Sequence, residues 1–396
     1  MTTHVFIVDS STFNTHLKYL FAGTGAKDNL VDFNNSTTTA HKATTENMLV
    51  AMSADAVRVR KGDKIIFYLQ QNLSDKIFEG KFYGIFEATI DWSFLDNNDG
   101  SQYLLGTELD KSLFYRTLIK PDKVYAEGVT EWEALDAITG MTSPNQMLWS
   151  LIYRKLKGNR GNTMITIYES EKLCQQIRRK NSRIELNIDN NELLFDKNTQ
   201  KIIIGDNSKN NYLGRQVDIN ILPRLIQKYN DNKAFEAHLQ AYIVKNIGLG
   251  KNKSLDDSIL GQNAKIEWLG NEVSCGVGMQ RIDIALSVNA NNQRTFVAIE
   301  LKAVEASLDN VRQIRRYIDW IEQYYIPNRQ SDILPIVVAK KFDRSTPAKQ
   351  NKYNKIILAF RDFNARNVSR CHNIKYVEYE VKNNQLVFIN TSYPAV

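Results

Sequence analysis

The sequence predicts a strand-rich α+β domain followed by an α/β sandwich. Three observations carry this. Apolar, β-branched and aromatic runs such as HVFIVD, KGDKIIFYLQ and EGKFYGIFEATI crowd the first half and read as strands. After residue 231, helical and strand patterns alternate in the order αββαβαβ. Between them, residues 181–230 form a polar bridge rich in Asn and Asp, either a linker or part of one domain.

The first domain, residues 1–180, continues past its early strands into LFYRTLIKP and a capped helix start, VTEWEALD, with Thr130 and Glu133 at capping-box spacing. SPNQMLWSLIYRKLKGNRG reads as a helix that Ser143 or Asn145 caps, with Leu148, Leu151, Ile152 and Leu156 in one stripe and Gly158 as its end. SEKLCQQIRRKNSR is a second helix. The bridge holds a hairpin, ELLFDKNTQKIIIG, turning at DKNTQ. In the last domain, residues 231–396, NKAFEAHLQAYIVKNI is a helix and RIDIALSV and TFVAIELKA are strands around NANNQ. LDNVRQIRRYIDWIEQYY is a long amphipathic helix, and the strand LPIVVAKKF, the helix NKIILAFRDFNARN and the strand IKYVEYEV follow.

Bulk properties bound the function. A chain of 396 residues is expected to form two or three domains. With 43% apolar and 24% charged residues, it belongs among ordered globular proteins. Fifty-one Lys and Arg against 44 Asp and Glu leave +7, a mild tilt towards anionic partners. The three cysteines, Cys174, Cys275 and Cys371, are isolated, which argues against a Cys-based zinc site and suits a reduced, cytoplasmic setting. No signal peptide and no apolar run of membrane-spanning length is visible, and no P-loop pattern points to a nucleotide cofactor.

The chemistry concentrates in VAIELKAVEA, residues 297–306. Glu300 and Lys302 lie two residues apart in an otherwise apolar strand, so they share a face while Leu301 points away. Asp283, in RIDIALS on the preceding strand, can meet Glu300 across the short turn. Two close carboxylates repel unless a cation lies between them. Mg²⁺ or Mn²⁺ suits two carboxylates, a carbonyl and waters, and Lys302 beside it can orient a water and stabilise charge on a phosphate. The plain alternative is a buried Glu300–Lys302 ion pair with Asp283 capping a turn. Gln313 and Tyr317, at i and i+4 on the next helix, share one face.

Arg281-Ile282-Asp283, Glu300-Leu301-Lys302 and Gln313 to Tyr317, in this order, resemble the PD-(D/E)XK nuclease superfamily. Within it, the resemblance is to the C-terminal domain of the NucS-type mismatch endonucleases, over about residues 231–385. That family also has a helical glutamate before the first strand, which matches Glu236. The resemblance implies an α/β restriction-endonuclease-like fold and metal-dependent DNA cleavage, with Asp283 and Glu300 on the metal and Glu236, Lys302 and Gln313 as further catalytic positions. Four features depart from the pattern: the stretch GLGKNKSLDDSILGQNAKIEWLGNEVSCGVGMQ is a longish insertion, Gln280 stands where the family usually has Gly, the C-terminal interaction tail typical of NucS is not visible, and the N-terminal domain is not the NucS one, so the family's substrate choice does not transfer.

In the first domain, GDKIIFYL, FYGIFEAT, LFYRTLIKP and LWSLIYRKLKGNRG resemble the EVE branch of the PUA-like β-barrel superfamily, which includes the YTH domains. This implies a nucleic-acid reader with an aromatic pocket for a flipped, modified base. Asp9, Ser10, Trp92, Trp132, Trp149 and Tyr153 are the pocket candidates; core or surface packing is the plain alternative for each ring. Arg154, Lys155, Lys157 and Arg160 are candidate phosphate contacts, or else a solvated helix end. The combined expectation is a restriction endonuclease, modification-dependent, acting as a homodimer on double-stranded DNA. The rivals are an ordinary sequence-specific restriction enzyme or a structure- or mismatch-specific repair endonuclease of NucS type, and a non-catalytic DNA-binding protein with a degenerate nuclease domain.

Overall fold

The computed structural model describes residues 1–25, 30–33, 43–148, 161–261, 263–275, 280–329 and 331–391. The chain is mixed α/β and divides into two compact units. The first comprises Met1–Asp32 and Ala40–Ile219, and the second Phe33–Thr39 and Asn220–Val396.

The first unit is built on a curled, half-barrel sheet. Its strands are β1 (Thr3–Val8), β2 (Phe21–Thr24), β3 (Lys64–Leu69), β4 (Lys81–Ala88), β5 (Phe94–Leu95), β6 (Tyr115–Pro121), β7 (Val129–Thr130), β8 (Asn162–Ile165) and, from the chain's later course, β11 (Val217–Asp218). The order is β11-β5-β6-β4-β3-β1-β8, with β2 on β6 and β7 on β4; β1 and β3 run parallel. Both faces of the central strands are covered. Phe6, Ile65, Phe67, Tyr83 and Phe86 enter one core, and Val5, Ile66, Tyr68, Phe82 and Ile85 enter another. This explains why these strands read as continuous apolar runs rather than as strict alternation.

Among the described residues, four α-helices accompany this sheet: α1 (Ser10–Lys18), α2 (Ala43–Val57), α3 (Glu131–Asp136) and α4 (Ile167–Lys180). The capping box expected at Thr130 and Glu133 is present, and Thr166 with Glu169 forms another. Where a helix was expected from residue 143, the described part is a 3-10 turn, Pro144–Gln146. The rest of that segment, residues 149–160, falls outside the described residues.

Of the two alternatives open for the polar bridge, linker or part of a domain, the fold takes the second. Residues 181–219 belong to the first unit. The hairpin β9 (Asn191–Asp196) and β10 (Lys201–Ser208) seats Leu193, Phe195 and Ile202 in the same core as Phe13, Leu17 and Phe67. The Phe195 and Phe13 rings are 4.9 Å apart, and Asn14 Oδ1 accepts from the Phe195 N–H at 2.9 Å. Polar loops hid this anchoring, because the apolar side chains that make it, Leu193, Phe195 and Ile202 with Leu186, Ile188 and Ile204 beside them, are scattered among polar residues.

The second unit begins earlier than residue 231, with α5 (Leu222–Asn230), and continues through α6 (Glu236–Asn246) and α7 (Lys253–Ile259). Its six-stranded sheet runs in sequence order: β12 (Lys265–Ser274), β13 (Arg281–Ala290), β14 (Gln293–Leu301), β15 (Asp332–Lys340), β16 (Lys375–Lys382) and β17 (Gln385–Thr391). The central β14-β15-β16 pairs are parallel and the outer pairs antiparallel. Helices α8 (Leu308–Trp320) and α9 (Pro347–Arg366) make the two parallel crossovers. The expected αββαβαβ core is therefore present, extended by α7, β12 and β17. The stretch taken for an insertion supplies α7 and the edge strand β12. Among the described residues, no helix is long and apolar enough to cross a membrane.

Candidate active site

Register brings the carboxylates together. Ile284 pairs with Ile299 across β13 and β14, so the next step outward sets Asp283 against Glu300. Asp283 Oδ2 accepts the Leu301 N–H at 2.7 Å. Asp283 thus bridges two strands rather than capping a turn. The residues beside it, Ile282, Ile284, Ile299 and Leu301, are fully buried, which pins the strand pair and gives its end a fixed geometry.

Glu300 is 1% exposed. Its Oε1 lies 2.6 Å from Lys302 Nζ, and its Oε2 receives the Tyr317 hydroxyl at 2.5 Å. Tyr317 also lies 2.8 Å from the Arg281 carbonyl. One hydroxyl proton serves one acceptor at a time, and the shorter, charged contact is the stronger. Lys302 continues past the end of β14. Its backbone N–H donates to Val338, its ammonium also meets the Leu301 carbonyl at 2.8 Å, and Tyr379 donates to its carbonyl at 3.1 Å. Glu236, in the first turn of α6, places Oε2 3.6 Å from the same ammonium. Gln240, one turn further along α6, donates to the Asp283 carbonyl at 2.8 Å.

The electrostatics follow from this packing. Burial, then the neighbouring Glu300, pushes the Asp283 carboxyl well above its ordinary range. Burial also raises Glu236, with Lys302 opposing. For Lys302, burial works against the ammonium, but Glu300, Glu236 and Asp283 outweigh it and raise its pKa. Tyr317 is raised by burial and by Glu300, so its hydroxyl stays a donor. The result is one firm cation among three carboxylates, at least one of which is reluctant to ionise.

The sequence candidates meet different fates. Glu236, Asp283, Glu300 and Lys302 converge. Gln313 lies one turn before Tyr317 on α8, and its Oε1 receives Asn310 Nδ2 at 3.3 Å. Gln240 and the Tyr317 hydroxyl's role were not foreseen; the i, i+4 spacing of Glu236 and Gln240 is the signal that pointed to the former. In the first unit, Asp9 caps α1 through the Thr12 N–H at 2.9 Å and pairs with Lys111. Burial disfavours its charge, yet Lys111 and Thr12 hold its carboxyl well below the usual range. Ser10 is buried and its hydroxyl bonds to Asp75. Trp92 is 44% exposed and Trp132 65%. Trp149, Tyr153, Arg154, Lys155, Lys157 and Arg160 lie outside the described residues.

A divalent ion suits this donor set. Among the described residues, no group of three or more His, Cys, Asp and Glu is arranged as a metal cage. Mg²⁺ commonly needs only one or two carboxylates, keeping waters and substrate oxygens for its other positions. Asp283 and Glu300 provide such a pair, and a cation between them would offset the burial and the Glu300 charge that raise the Asp283 carboxyl. Comparison with protein-family models and with curated protein sequences finds no match for this chain.

Proposed function

We propose that this chain is a metal-dependent DNA endonuclease, with a nucleic-acid reader in its first unit and a phosphodiester hydrolase in its second. The layout is that of a restriction enzyme, modification-dependent if the reader selects an altered base. One observation carries the reading: Asp283, Glu300 and Lys302 meet Glu236 at the end of one buried strand pair. Structure alone needs no such concentration of charge, and burying it is unfavourable.

Asp283 and Glu300 would hold Mg²⁺ or Mn²⁺, which when bound supplies a polarised phosphate oxygen and an acidified water. Lys302, firmly protonated, donates to the negative charge that grows on the phosphate oxygens and positions the attacking water. Tyr317 fixes Glu300 from behind, and Gln240 fixes the Asp283 backbone. Glu236, with its raised pKa, can take up or hold a proton beside Lys302.

The 2.6 Å contact between Lys302 and Glu300 favours a second reading, in which the pair is structural and the chain binds DNA without cutting it. Matched plasmids separate the two. Unmodified, 5-methylcytosine, hydroxymethylcytosine, glucosylated and N6-methyladenine DNA are each incubated with the protein and Mg²⁺ or Mn²⁺. Cleavage of at least one substrate is expected, with loss of about two or more orders of magnitude in Glu300→Ala and Lys302→Ala. DNA binding should persist in both. Binding with no cleavage of any substrate makes the second reading the correct one.

A further inference from the structure

The first unit contains a cavity of about 330 Å³ bounded by Tyr19, Ile188, Glu192, Lys209, Asn210 and Tyr212, among others. That volume falls at the lower end of ligand sites, roughly 300–1,000 Å³. Its lining is chemically uneven. Tyr19, Tyr212 and aliphatic side chains supply its apolar part. Glu192, however, is only 3% exposed. Asn207 Nδ2 donates to its Oε1 at 2.7 Å, and Asn210 Nδ2 reaches its Oε2 at 3.5 Å. Both partners are neutral, and the second contact is long. Lys18 is within electrostatic reach but is engaged by Glu108 at 2.9 Å. Gly205 leaves room for this side chain, since a Cβ there would lie 2.7 Å from Glu192 Cγ. A buried carboxylate whose hydrogen-bond partners among the described residues are amides retains strong capacity to accept hydrogen bonds. Lys209 is exposed at the cavity edge and pairs with no carboxylate among the described residues.

We propose that this cavity receives a guanine base, whose adjacent ring N–H and exocyclic amino group donate together to Glu192. The tyrosine rings cover the base and Lys209 meets its phosphate. Guanine is the base whose Watson–Crick edge offers two neighbouring donors. Adenine and cytosine set an acceptor beside their donor, and thymine flanks its single N–H with carbonyl oxygens; each would face the carboxylate with a repelling lone pair. The proposal rests on the reading of the first unit as a base reader, and it moves the pocket from Trp92 and Trp132 to this cavity.

The test uses the full chain in EDTA, so that cleavage plays no part. Calorimetry compares guanosine and adenosine monophosphates, and DNA hairpins carrying one unpaired guanine or one unpaired adenine. Guanine should bind about ten- to a hundredfold more tightly than adenine in the hairpins, the size of one bidentate base contact. Glu192→Gln should abolish the preference. Ile188→Trp, which fills the cavity from a half-buried loop position, should block binding and serves if Glu192→Gln does not fold. Tighter binding of the guanine hairpin than of the mononucleotide assigns the source to DNA; the reverse assigns it to a free nucleotide and overturns the base-reader reading while leaving the cavity's ligand in place. Equal affinity for guanine and adenine, or a preference that survives in both folded variants, overturns the proposal. Loss of cleavage in Glu300→Ala is a separate result and leaves it untouched.

Discussion

Asp283 concentrates the electrostatic strain of the second unit in one carboxyl. Burial and Glu300 raise its pKa in the folded chain, so the folded state holds a proton that the unfolded chain releases near pH 4. Between those two values the folded state binds more protons than the unfolded state, and stability falls as pH rises. Asp283→Asn should therefore raise the melting temperature at pH 7 in EDTA, by roughly 2–4 °C for each kcal/mol relieved, and change it little at pH 4. Its amide oxygen can still accept the Leu301 N–H. Thermal unfolding at the two pH values checks this, and destabilisation at pH 7 would mean that the ionised carboxylate favours the fold. Asp283, Glu300 and Lys302 could be read from spacing alone, because a strand has a period of two and a charged pair at that spacing must share a face. Gln240 shares the Glu236 face by its i, i+4 spacing, but its contact with Asp283 could not be read, since that depends on which strand passes beneath α6.

At the scale of elements, the β9–β10 hairpin separates local from tertiary information. Its turn and strands were legible, but its role was not. Phe195 is 6% exposed and packs on Phe13 and Tyr83 at 4.9 and 5.7 Å. Phe195→Ala should cost about 3–5 kcal/mol, the range for a buried ring. A hairpin serving only as a linker would lose no more than about 0.5 kcal/mol, as surface substitutions do. Urea denaturation distinguishes the two. Strand β12 was missed for a different reason. Gly270 interrupts its pattern, and the glycine is there for space: a Cβ would lie 2.5 Å from Trp268 Cη2. Propensity penalises glycine in a strand, while packing under a tryptophan requires it.

For the whole molecule, the division at Ile219 and Asn220 predicts where the chain can be cut. A fragment of residues 1–219 should unfold cooperatively, whereas residues 1–180 should aggregate or remain unfolded, because removing the hairpin bares Phe13, Leu17 and Tyr83. Size-exclusion chromatography and circular dichroism of both fragments test this, and a stable monomeric 1–180 fragment would refute the hairpin's place in the core. The full chain should also gain thermal stability with Mn²⁺, increasingly so from pH 5 to pH 8 as the ion competes with the proton on Asp283. Asp283→Asn should lose most of that gain. An equal gain in the variant would place the ion elsewhere.

By itself, the sequence determined the strand-rich first half, the alternating second half and the three charged residues at the end of one strand pair. These are local facts, carried by periodicities of two and 3.6 and by the near-exclusion of charge from apolar runs. Only the tertiary structure decided that residues 181–219 complete the first core and that β12 extends the second sheet. It alone set Tyr317 on Glu300 and Gln240 on Asp283, and enclosed Glu192 beside a cavity. Each of these depends on contacts between residues far apart in the chain, and such contacts leave no period in the sequence that could announce them.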